Sequence, residues 1–142
     1  MRDILFRGKR TDTGKWIEGA YVKREFDGAT YIVTSTIGAS IRSEILNMEA
    51  TGFRVDPETV GQYTGLTDKN GKKIFEGDIL RGLRYKDYGQ CGEYITCSLI
   101  VEWDDKAASF SPFGTLDSYE YRWEMYEVIG NIHDNPELLK GA

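Results

Sequence analysis

Residues 60–80, VGQYTGLTDKNGKKIFEGDIL, decide the fold. Asp68-Lys69-Asn70-Gly71 lies between two short runs with apolar members, 62–66 and 73–75. Asn and Gly enter the left-handed region at little steric cost. The four residues therefore predict a β-hairpin, either with a type I′ turn on Asn70-Gly71 or with a type I turn and Gly71 in a bulge. Asp68 is placed to accept from the backbone two residues on and so start the turn. Gly77-Asp78 predicts a second reversal, and residues 78–81 the next strand. Turn chemistry accounts for every Gly and Asp here, so the plainer reading is that they shape backbone and do no reactive work.

Composition agrees with a β-rich chain. Sixteen Gly against three Pro among 142 residues, with 13% aromatics, favour many turns and short strands. Apolar residues are 40% and charged ones 29%, ordinary for a globular protein with one core or two small lobes. No apolar run approaches the roughly 20 residues of a membrane span. The opening MRDILFRGKR carries charges inside its apolar patch, unlike a signal peptide. Cys91 and Cys97 suit free thiols in a reducing compartment, and the expected location is the cytoplasm.

Working outward toward the N-terminus, Ile4-Leu5-Phe6 predicts a first strand, 11–14 a turn, 15–22 a second strand and 29–34 a third. Short polar turns between them make an antiparallel meander. Residues 43–50 fit a strand or a helical turn, and 53–55 a strand. Asp56-Pro57-Glu58 predicts an N-cap with Pro at the first helical position. Residues 12–19, DTGKWIEG, echo 68–77, DKNGKKIFEG, which reads as two similar hairpins.

Toward the C-terminus, the glycine-rich 82–92 predicts a loop and 93–103 the longest strand. Asp104-Asp105-Lys106 ends it, and 107–113 is a shorter strand. From Tyr119 the residues alternate, with Tyr119, Tyr121, Trp123 and Met125 on one side and Glu120, Arg122 and Glu124 on the other. Period two predicts a half-buried strand with its aromatic side on a core or a partner. Residues 126–132 close the sheet, and Asn135-Pro136 predicts the start of a short C-terminal helix. The halves divide as a β-rich lobe, 1–58, and a second lobe, 59–142, or else form one continuous unit.

The ordered set of short motifs resembles the YopX family of phage and prophage proteins. It runs through Ile4-Leu5-Phe6-Arg7-Gly8-Lys9, Gly14-Lys15-Trp16 and Glu18-Gly19. It continues with Gln62-Tyr63-Thr64-Gly65-Leu66, Asp68 to Gly71 and Ile74 to Ile79. It ends with Tyr126-Glu127-Val128-Ile129-Gly130-Asn131-Ile132 and Asn135 to Leu139. Residues 36–58 and 82–118 match no motif of the family. The resemblance implies a mainly β fold with N-terminal antiparallel strands and a C-terminal SH3-type barrel. It also implies a phage or prophage origin, and no particular activity.

No constellation dictates a reaction. Cys91 and Cys97 are spaced too widely for a zinc knuckle, and a site would require them to converge with Asp104 and His133, the sole histidine. His133, just before a helix cap, reads as a surface residue sooner than a general base. Asp104 and Asp105 are neighbours on a strand and point to opposite faces, which disfavours a paired-carboxylate hydrolase. Gly61 and Gly65 lack the Lys-Ser/Thr of a phosphate loop. No catalytic residue, metal ligand or cofactor is expected.

Two surfaces are candidates for binding. Tyr119, Tyr121 and Trp123, with Tyr85 and Tyr88, would dock a protein or stack bases if exposed, though such spacing more often marks core. Lys69, Lys72, Lys73, Arg81, Arg84 and Lys86 would form a basic stripe along the central hairpin. Charge argues between them. Residues 1–86 hold 15 Lys/Arg and 12 Asp/Glu, whereas 93–137 hold two against ten, within a net charge of −5. A net-acidic chain lacks the footprint of a non-specific nucleic-acid binder. The expectation is thus a non-enzymatic accessory protein binding a phage or host protein, with nucleic acid the alternative and a hydrolase or metal enzyme last. Exposed strand edges and the aromatic face would also favour a homo-oligomer.

Overall fold

The computed structural model describes residues 3–34, 52–85, 94–112 and 126–139. These form antiparallel β-sheets with two 3-10 turns and no α-helix. The chain falls into two compact units, residues 1–63 and 64–142.

In the first unit, β1 (Phe6–Lys9), β2 (Trp16–Lys23), β3 (Thr30–Val33) and β4 (Gly52–Arg54) are followed by β5 (Gly61–Thr67), in the order β4-β3-β2-β1-β5. The first strand starts two residues later than Ile4, which is left exposed. The β1–β2 turn closes through Gly14 N–H on Arg10 O and Arg10 N–H on Lys15 O, with Gly14 at φ 69°. Alternation puts Ile32 and, beyond β4, Val55 on one face, and both are buried. Two glycines let that face close. A Cβ on Gly19 would lie 2.1 Å from Val33 O, and one on Gly8 would lie 3.1 Å from Val55. Asp56 caps the first 3-10 turn (Pro57–Thr59) by accepting from Glu58 N–H, as its sequence predicts. Thr59 Oγ1 accepts from Lys9 N–H and so holds that turn against β1.

In the second unit, the end of β5 leads to β6 (Lys73–Phe75), which pairs with it. A three-stranded sheet follows, in the order β11 (Glu127–Asn131), β7 (Asp78–Tyr85), β8 (Tyr94–Ile100). A separate hairpin is made by β9 (Glu102–Asp104) and β10 (Ser109–Ser111). Ile74, Leu80, Val101, Phe110 and Tyr126 form the core, with Leu66, Cys97, Leu99 and Val128 packed around it. Burying each large side chain stabilises the unit by about 1.5–3 kcal/mol. No closed barrel is formed among the described residues.

Three elements differ from the sequence reading. The loop expected from Gly82 onward is strand as far as Tyr85, because Gly82 supplies the space for an aromatic ring. A Cβ there would stand 2.4 Å from Tyr126 Cδ1. The long strand expected over 93–103 is interrupted at Val101, whose backbone bonds to Asp78 O and Gly77 N before the chain enters β9. The C-terminal helix is one 3-10 turn, Pro136–Leu139. Asn135 turns its amide oxygen back to Asn131 N–H, over Gly130, where no Cβ would fit. Residues 43–50 and the alternating segment 119–125 lie outside the described residues.

Candidate functional site

The central hairpin is built on one carboxylate. Asp68, 6% exposed, accepts from Asn70 N–H at 2.8 Å and Lys72 N–H at 2.9 Å through Oδ1. Its Oδ2 accepts from Val128 N–H on β11 at 2.9 Å. Burial by itself raises the Asp68 pKa. The donors from Val128, Lys72 and Asn70 outweigh it and hold the group below the usual carboxylate range. Gly71 takes φ 81° and donates to Asp68 O, while Asp68 N–H bonds Lys72 O. Asn70 keeps negative φ, so the turn is the type I form with Gly71 in the bulge.

With its carboxylate folded inward, the hairpin presents its cations outward. Lys69, Lys72, Lys73 and Arg81 are all exposed. The stripe also contains an acid that sequence reasoning missed. Lys69 Nζ lies 3.8 Å from Glu127, and Glu127 sits directly across from Arg81 in the β11–β7 ladder. Register thus sets an acid opposite Arg81, and the same acid pairs with Lys69. Arg84 stands on β7 opposite Ile95. Lys86 lies outside the described residues, as do Tyr88, Tyr119, Tyr121 and Trp123.

Two further buried polar side chains, Asp78 and Asn131, also serve the backbone. Asp78, 1% exposed, accepts from Phe75 N–H at 2.8 Å. Asn131 accepts from His133 and Asp134 N–H and donates to the Asp134 carboxylate. His133 is exposed, with Nε2 near Gly77. Cys97 Sγ lies 3.4 Å from Tyr126 Oη, while Cys91 lies outside the described residues. Among the described residues, no three His, Cys, Asp or Glu side chains group as metal ligands.

The β9–β10 hairpin is the second candidate surface, and sequence reasoning passed over its indole. Every residue from Glu102 to Ala108 is exposed. Trp103, 46% exposed, packs edge-on against Phe110 directly across the ladder, with centroids 5.1 Å apart. One side of the indole therefore rests on the core and the other meets solvent. Asp104 Oδ1 accepts from Lys106 and Ala107 N–H and forms the turn, as expected for this carboxylate. Glu102 and Asp105 flank the ring in sequence. The only available signal was the run Glu-Trp-Asp-Asp, which places an indole among three carboxylates.

The fold and these sites define a mainly β protein of antiparallel sheets whose buried carboxylates organise turns. The chain belongs to the YopX family, whose model, described as YopX protein, matches residues 5–140. A crystal structure of protein EF1440 from Enterococcus faecalis is similar to it, with 25% identity and a TM-score of 0.53. That likeness covers 98% of this chain and 99% of that chain. No curated protein matches. No helix among the described residues is long and apolar enough to cross a membrane.

Proposed function

We propose that this is a phage- or prophage-encoded accessory protein that acts in the bacterial cytoplasm by binding protein rather than by catalysis. The observation that carries the reading is the β9–β10 arm, where a half-exposed indole is braced on Phe110 in a hairpin whose Glu102, Asp104 and Asp105 are exposed. Trp is among the residues enriched as anchors at the centres of protein interfaces, with polar residues at the rim. Membership of the YopX family supports the genetic setting. The SH3-type character of the second unit belongs to the same proposal, as does a contribution from Tyr119, Tyr121 and Trp123.

The test is affinity capture from induced host cells with the tagged chain and its Trp103→Ala variant in parallel. Retention of a defined protein by the native chain and its loss in the variant is the expected result. Recovery of nucleic acid alone would refute the reading. A second reading, a nucleic-acid accessory factor, is favoured by the exposed Lys69, Lys72, Lys73 and Arg81. It requires salt-dependent retention of single-stranded or duplex DNA, and no shift at low salt would remove it.

A further inference from the structure

The two exposed hairpins of the second unit carry opposite charge. At the β5–β6 tip, residues 69–73 are all exposed and include Lys69, Lys72 and Lys73, while the one acid of the turn, Asp68, is buried beneath them. Its two oxygens are occupied by three backbone donors, so the tip is held in shape and its own exposed charged side chains are lysines, of which Lys69 also pairs with Glu127 at 3.8 Å. On the β9–β10 arm that carries Trp103, Glu102, Asp104 and Asp105 are all exposed, with Lys106 the one cation. Asp104 fixes that turn through two backbone bonds, so this element too is held in shape before any partner arrives. The two tips differ in one further respect. The arm has an apolar anchor in Trp103, whereas the cationic tip has long lysine stems able to lie along an aromatic face and leave their ammonium groups near carboxylates.

We propose that the β9–β10 arm docks the β5–β6 tip of a second copy of this chain, with lysine stems against the Trp103 indole and their ammonium groups toward the acidic end of the arm at Asp105. Charge complementarity selects this occupant. Like tips repel one another, so arm–arm and tip–tip pairing are disfavoured and only the arm–tip pairing joins opposite charges. Each copy carries both partners of the contact, so the chain associates without a second protein. The inference rests on the reading of the arm as a protein-binding element and names its partner.

Sedimentation velocity of the full chain over a concentration series, at low and at high salt, reads the association directly. Association at low salt that weakens by about tenfold or more at high salt is expected. Trp103→Ala is expected to weaken it by a similar factor. Reversing the arm (Glu102→Lys with Asp105→Lys) or the tip (Lys72→Glu with Lys73→Glu) is expected to leave a folded monomer by circular dichroism. Asp104 is left intact in these variants because it forms the turn. Mixing the arm-reversed and tip-reversed chains is expected to restore association, since the cationic tip of one then meets the acidic arm of the other. So is combining both reversals in one chain. A native chain that stays monomeric at low salt, or association unmoved by both reversals, would overturn the proposal. If the chain is monomeric while Trp103→Ala still abolishes capture of a host protein, self-docking is wrong and the protein-binding reading stands. If capture is also unchanged, both fail.

Discussion

Replacing Asp68 by Asn probes the hairpin that organises the second unit. The native carboxylate accepts three backbone N–H groups, two through Oδ1 and that of Val128 through Oδ2. An Asn side chain keeps one acceptor oxygen, enough for the Asn70 and Lys72 donors. Its amide then meets the Val128 N–H donor to donor. Leaving that part-buried N–H without an acceptor costs about 1–3 kcal/mol. Loss of charge weakens the other two bonds, which are roughly twice as strong to an ionised acceptor. The sum is about 2–4 kcal/mol at neutral pH. Asp68→Ala removes both acceptor oxygens, leaves all three N–H groups without them and costs about 3–5 kcal/mol. Chemical denaturation gives the total, and amide exchange at Val128 locates it, with protection there falling most in Asp68→Asn.

The same substitution carries a pH signature. Because the folded-state pKa of Asp68 is depressed, its contribution is fully present above the unfolded value and is lost as pH falls through the folded one. The deficit of Asp68→Asn should therefore begin to shrink as pH falls below about 4 and close only below the depressed folded value. A variant within about 0.5 kcal/mol of the native chain at pH 7, or a deficit unchanged in acid, would refute the assignment.

Further substitutions separate clash, strain and cavity. Gly82→Ala drives a methyl group into the Tyr126 ring, so a urea-midpoint loss worth about 1–3 kcal/mol or more is expected, and none is expected if the ring is free to move aside. Gly71→Ala meets open space but holds φ 81°, so the loss should be only about 1–2 kcal/mol, read by the same titration. Phe110→Ala empties a core position and should cost about 3–5 kcal/mol in thermal unfolding. Trp103→Ala, half exposed, should cost distinctly less. If the two cost the same, Trp103 is a core residue and no docking anchor.

What the sequence determined by itself was local. The Thr-Asp-Thr-Gly and Asp-Lys-Asn-Gly turns, the Asp56-Pro57 cap and the Asp104 turn were legible because each is made by residues within a few positions of one another. Left-handed glycine and short carboxylates need no tertiary partner to bend a chain. The ordered motifs added family membership and a mainly β class. Tertiary structure decided the rest. Gly82 reads as loop until Tyr126 lies over it, and Asp68 reads as a turn residue until Val128, 60 positions away, donates to it. Lys69 and Arg81 look like a continuous basic stripe until strand register sets Glu127 across from Arg81, where it pairs with Lys69. Trp103 reads as the end of a strand until the break at Val101 sends it into a separate hairpin with one side on Phe110 and the other in water. Burial and cross-strand pairing depend on which distant segments meet, and a short-range pattern of residue types carries no record of that meeting.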